Sequence, residues 1–239
     1  QERRPPGITG VVRDGILPDL YGYEAGQVAV GDMLAWFVDT LAPGGPGSYE
    51  ALEREAAMLA PGSSGLVALD WWNGNRSILA DADLTGVIFG LTLHTTPAEI
   101  YRALLESIAY GNRRIMDTFE EHGMGLTEIV ACGGIAERSP LMMQLIADIS
   151  GRRVRVPSSR EIPARGSALF GAVASGAFDD IRAAIAATRP PDATSYSPEP
   201  AATAVYDRVY AVYRQLYETL GQTQVDLLHE LKRIRTWTP

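Results

Sequence analysis

Residues 128–176 alternate strand and helix in a fixed order. A short apolar strand at 128–132 is followed by Gly133-Gly134, a helix at 140–150, a strand at 153–156 and a helix of small residues at 164–175. Strands that alternate with helices imply an α/β fold whose sheet has parallel members joined by right-handed crossovers, and such sheets offer ligands the carboxyl ends of their strands. Two glycines directly after a strand put bare backbone where a sheet edge meets a helix start. They serve either a tight βα turn or the floor beneath a ligand's rings and phosphates. The pair is not the GxGxxG fingerprint of dinucleotide binding. In the helix at 164–175, Gly166 and Gly171 each cost about 1 kcal/mol relative to alanine. Close packing on the sheet, or close approach to a nucleotide beside Gly133, would offset that cost.

The remaining segments fit around this series. Residues 8–13 and 16–23 are β-leaning runs joined by Asp14-Gly15, a dipeptide suited to a type I′ turn, so the chain is expected to open in a hairpin. A helix is expected over 26–40 with Val30, Met33, Leu34, Phe37 and Val38 on one face, then a Pro/Gly loop at 43–47 and a shorter helix at 49–59. A brief strand at 66–69 leads into Asp70-Trp71-Trp72-Asn73, where the tryptophans act as core anchors under a loop or as a sugar-stacking surface. Thr96-Pro97-Ala98-Glu99 carries an N-cap, a proline at the first helical position and a capping-box glutamate, and Gly123 supplies the stop, so a long helix must lie between them. Residues 188–200 read as a Pro/Ser linker. The stretch 201–233 reads as one long helix with Val205, Val209, Val212, Leu216 and Leu220 along one side, a face for its own domain or for a second copy in a homodimer.

Composition removes several classes of function. A formal net charge of −8 repels phosphodiester backbones and anionic lipid, so neither nucleic acid nor membrane is an expected partner. Lys232 is the only lysine, which excludes the P-loop GxxxxGK and a mid-chain Schiff base. The single cysteine, Cys132, cannot form an internal disulfide, its flanks read as buried strand, and a reducing cytoplasm fits. His94, His122 and His229 lie far apart without HExxH spacing or a cysteine partner, so no protein metal site is expected. No apolar run reaches the roughly 18 residues of a membrane span, and residues 1–6 lack the apolar stretch of a signal peptide.

One polar cluster remains. In residues 23–32, Glu24, Gln27 and Asp32 stand among Gly26 and Gly31 where a strand gives way to a helix. Carboxylates there act as helix caps or, with Gln27, hydrogen-bond the hydroxyls of a polyol.

Taken together, GYEAGQVAVGDMLAWFV at 22–38, GLVALDWWNGNRS at 65–77, IYRALLESIAYGNR at 100–113 and ACGGIAERSPLMMQLIADISGR at 131–152 resemble the carboxyl-terminal half of the FGGY carbohydrate kinases, over about residues 7–176. The resemblance implies an actin-like ATPase fold of ribonuclease H type, with a mixed sheet flanked by helices. It also implies ATP with Mg²⁺ held through the phosphates, and a ketopentose such as L-ribulose as the sugar. Residues 1–187 would be the nucleotide-binding domain, incomplete at its N-terminus, with 201–239 a helical extension. Position by position, Gly133 and Gly134 match glycines lining the adenosine pocket, and Gly31 a glycine lying against the nucleotide. Arg138 or Ser139 falls where some members place an asparagine beside the base. Ala35 stands where other members often have an adenine-contacting glutamine, and Glu24 matches a sugar-facing residue. The resemblance places the general-base aspartate and the main phosphate hairpin upstream of Gln1. No catalytic residue is therefore expected in this chain, which alone should be silent and should show an unpaired sheet edge. Two other readings are a kinase for a different polyol, such as xylulose, glycerol or D-ribulose, and a non-catalytic actin-like nucleotide-binding module.

Overall fold

A computed structural model describes residues 2–42, 44, 48–159 and 161–236, and the loop expected at 43–47 lies, Gly44 apart, outside them. The chain opens as the expected hairpin, β1 (Gly10–Arg13) against β2 (Tyr21–Glu24), antiparallel with Arg13 opposite Tyr21. The connection is longer than a two-residue turn. Asp14, at φ 58°, donates its N–H to the Leu20 carbonyl at 2.8 Å, and its carboxylate accepts from Asp19 N at 2.6 Å. The side-chain bond closes a loop that Asp14-Gly15 alone does not.

Helix α1 (Gly31–Trp36) begins five residues later than expected and continues as a π-turn over Phe37–Leu41. Residues 26–30 are held out of the helix by distant partners. Gly26 N donates to Ser77 Oγ at 3.2 Å, and Gln27 Nε2 donates to Asp70 and to the Ile108 carbonyl. After α2 (Tyr49–Ala57), strands β3 (Val67–Leu69) and β4 (Val87–Phe89) pair antiparallel. Helix α3 (Pro97–Glu121) carries the expected capping box: Thr96 Oγ1 accepts from Glu99 N at 3.3 Å and Glu99 Oε2 accepts from Thr96 N at 2.7 Å.

The βα series follows as β5 (Ile129–Val130), α4 (Gly134–Arg138), α5 (Pro140–Ser150), β6 (Val154–Pro157), α6 (Ile162–Ala174) and α7 (Ile181–Thr188). β5 and β6 are parallel, as the alternation requires. The mixed sheet is the three-stranded one ordered β5-β6-β7, and the other described strands form two separate antiparallel pairs. β7 (Asp192–Tyr196) lies within the segment read as a linker and pairs antiparallel with β6. The free edge of β5 has no strand partner among the described residues, so Val130 is 48% exposed and Cys132 is exposed rather than buried. Helix α6 buries none of its residues, and Cβ atoms added at Gly166 or Gly171 would meet nothing within 4 Å. Packing on the sheet does not account for either glycine.

The C-terminal helix is interrupted. α8 (Pro200–Glu218) passes through a π-turn at Thr219–Thr223 into α9 (Val225–Thr236). Its most deeply buried side chains are aromatic: Tyr206, Tyr210, Tyr213 and Tyr217 are buried, while of the expected aliphatic side Val209, Leu216 and Leu220 are half-buried against the core and Val212 is exposed. The spacing of four, three and four places all four rings on one stripe. They pack on the chain's own α3, β3 and α5, ring against ring, with Tyr110 and Trp71. Tyrosine is used because the hydroxyls reach buried or half-buried carboxylates: Tyr206 donates to Glu106 at 2.8 Å, Tyr210 to Asp117 at 2.6 Å and Tyr213 to Asp70 at 3.2 Å. Burial pushes the Asp70 carboxyl above the usual carboxylate range, opposed by hydrogen bonds from Gln27 and Tyr213.

Candidate nucleotide cleft

At the carboxyl end of β5 the backbone turns through Gly133, at φ 91° and ψ 179°, a region open only to glycine. A Cβ there would meet nothing within 4 Å, and the same holds at Gly31. Both glycines therefore face space rather than packed side chains. Between α1, α2, α3 and α4 lies a cleft of about 610 Å³, within the range of small-molecule sites. The fold brings Gly31, Gly134, Arg138 and Ser139 together on its walls, with Gly133 next in the chain to Gly134.

Its floor is apolar, formed by Leu34, Leu105 and Ile135, and the buried Tyr101 also lines it. One wall is α2, whose Tyr49, Glu50 and Glu53 escaped the sequence reading. Their spacing of one and four residues on a short helix was the available signal. Glu53 fixes the cleft's shape by accepting from Ser139 Oγ at 2.5 Å and from Tyr101 OH at 3.2 Å. Burial, with Glu53 alongside, drives the Tyr101 hydroxyl far above its ordinary pKa, so it remains a donor. Ser139 also caps α5, accepting from Met142 N at 3.0 Å. Arg138 folds back, its Nε donating to the Gly134 carbonyl at 3.0 Å, and its guanidinium lies where a side chain at 134 would go.

The two polyol-facing candidates do not line this cleft. Glu24 is exposed at the end of β2 and pairs with Arg76. Gln27 is engaged inside the chain: its Nε2 donates to Asp70 Oδ2 at 2.8 Å and to Ile108 O at 2.9 Å, and its Oε1 accepts from Asn112 at 2.6 Å. All its amide groups are used, which makes it a brace between the 24–30 segment, β3 and α3 rather than an open donor. Trp71 is 0% exposed and cannot stack on a sugar; Trp72 packs against Trp36 at 5.7 Å between centroids. Among the described residues no group of three His, Cys, Asp or Glu side chains could hold a metal, and no helix is long and apolar enough to cross a membrane.

Short sheets flanked by helices carry a diglycine turn beside the cleft, on a fold shared with solved sugar kinases. The fold superposes on the xylulose kinase of Rhodospirillum rubrum with a TM-score of 0.75 and 28% identity, over 89% of this chain and 42% of that one. Residues 1–175 match the C-terminal domain of the FGGY family of carbohydrate kinases, and the chain belongs to that family. It is 45% identical over 246 residues to a ribulokinase of Bacillus licheniformis and 42% identical over 250 residues to one of Anoxybacillus flavithermus. These alignments cover 98% and 99% of this chain and 44% of each relative, so the chain spans less than half the length of the curated relatives it matches.

Proposed function

We propose that this chain is the nucleotide-side portion of an ATP-dependent kinase that converts L-ribulose to L-ribulose 5-phosphate. The observation that carries the reading is the turn at Gly133, which faces open space, beside a 610 Å³ cleft lined by Gly31 and Gly134. The names of the curated relatives support the choice of sugar. ATP fits the cleft chemically: apolar Leu34, Leu105 and Ile135 for the base, and bare main chain at Gly31 and Gly134 where ribose and phosphates must pass close. In this reading Gly31, Gly133 and Gly134 admit the nucleotide, while Arg138 and Ser139 flank its base. Mg²⁺ would arrive on the phosphates; among the described residues no cluster of His, Cys, Asp or Glu side chains could hold it. When bound, ATP supplies the phosphoryl group that the sugar's terminal hydroxyl attacks, and this portion contributes positioning and exclusion of water.

The nucleotide half of the reading is tested by titration calorimetry. Gly134→Val should lower ATP affinity at least 100-fold with an unchanged circular dichroism spectrum, because the added methyls and the displaced Arg138 guanidinium fill the cleft. Equal affinity rejects the site. The sugar half is tested in the complete enzyme, where Glu24→Ala should raise the KM for L-ribulose far more than that for ATP. Equal effects would make Glu24 a structural cap. Catalysis requires a domain carrying the general base, and the chain by itself is proposed to be silent. Turnover of about 1–100 s⁻¹, the range of an intact kinase, by purified 1–239 with ATP and L-ribulose would place the base within these residues.

A further inference from the structure

The loop after the tryptophan pair is gripped from two sides. On one side stand the C-terminal helices: His229 Nε2 lies 2.7 Å from Asp81 Oδ2, and Lys232 Nζ donates to the Ala82 carbonyl at 2.6 Å and pairs with Asp83 at 2.8 Å. On the other side the loop holds the end of β2 and the segment after it, where Arg76 pairs with Glu24 and Ser77 Oγ accepts from Gly26 N at 3.2 Å. Between these grips the loop is internally tied. Asn75 and Asp81 exchange both backbone hydrogen bonds, at 2.7 and 2.8 Å, and Asn75 Oδ1 accepts from Leu79 N at 3.0 Å. Asp81 uses its second oxygen to accept from Asp83 N at 2.8 Å, so the carboxylate that meets His229 also shapes the loop.

A loop tied across its own base moves as a unit, and a displacement at one grip reaches the other. We propose that α9 is a positioning element for the sugar side of the site. His229 and Lys232 fix the loop over 75–83, and through Arg76 and Ser77 the loop fixes Glu24 and Gly26. The transmission is a property of the chain itself; its consequence for sugar binding rests on the reading of Glu24 given above. His229 and Lys232 are positioning residues and touch no reacting group.

Hydrogen exchange on the 239-residue chain tests the transmission without any activity. Losing a charge-assisted hydrogen bond loosens what it holds by about tenfold in opening equilibrium. His229→Ala and, independently, Asp81→Asn should each speed exchange about tenfold at residues 76–81 and also at 24–26, with α5 unchanged. The double variant should add nothing to either single one. Acceleration at 76–81 with residues 24–26 unmoved would overturn the proposal, as would uniform acceleration that includes α5. In the complete enzyme, His229→Ala should raise the KM for the sugar and not for ATP, and His229→Gln, which keeps a donor facing Asp81, should restore most of the loss. Should exchange behave as described while Glu24→Ala leaves the sugar KM untouched, the positioning stands and the sugar reading falls.

Discussion

Arg102→Met is expected to destabilise the chain by about 3–5 kcal/mol, the cost of stranding a buried charge. Arg102 and Glu106 are 6% and 2% exposed, one turn apart on α3. The guanidinium donates to Glu106 Oε1 at 2.8 Å, to the Ala56 carbonyl at 2.8 Å and to Tyr206 OH at 2.6 Å. That hydroxyl in turn donates to Glu106 at 2.8 Å, so one cation joins α2, α3 and α8. Methionine fills most of the volume but leaves Glu106 without its counter-charge. Burial already holds the Glu106 carboxyl above the usual range, opposed by Arg102, and removing Arg102 raises it further. A carboxyl whose folded pKa exceeds its unfolded value favours the fold below the unfolded pKa, and that contribution is lost as pH rises through the folded pKa. The penalty should therefore be smallest near pH 4 and grow toward pH 7. Urea unfolding at several pH values measures this, and a pH-independent cost below about 1 kcal/mol, the level of an exposed pair, would refute it. Arg102→Met combined with Glu106→Leu should recover much of the loss, because an apolar replacement of both partners removes the stranded charge.

Trp71→Ala should cost a comparable 3–5 kcal/mol, the range for emptying a large aromatic site. The ring is fully buried, lies edge-on to Tyr217 at 5.2 Å, and closes the space beneath Gly221. Its Nε1 has no hydrogen-bond partner among the described residues, so Trp71→Phe gives up volume but no bond and should cost less than half as much. A phenylalanine variant as unstable as the alanine one would mean that the indole N–H has a partner such as a buried water. Thermal and urea unfolding of the pair decide the matter.

The local elements that proved legible carry short-range chemistry. The capping box at Thr96 and Glu99, the αL stop at Gly123 and the alternation of apolar strand with helix over 128–176 depend on residues a few positions apart. The diglycine was legible for the same reason, since positive φ after a strand demands glycine whatever lies nearby. What could not be read depended on distant partners. Residues 26–30 are kept from helix by Ser77, Asp70 and Ile108. β7 becomes a strand because β6 offers it an edge. The α2 wall of the cleft, with Glu53 bonded to Ser139 86 positions away, left only weak spacing in the sequence.

Sequence alone thus settled the α/β character, the position of the glycine turn and the kinship with sugar kinases, because backbone conformation and periodicity are written in neighbouring residues. Tertiary structure decided which side chains of α8 lie deepest. Val209, Leu216 and Leu220 pack against the core as their spacing promised, yet the tyrosines go deepest because Glu106, Asp117 and Asp70 wait there for their hydroxyls. A buried carboxylate selects the side chain that can both fill space and donate a hydrogen bond, and its location exists only once the chain has folded.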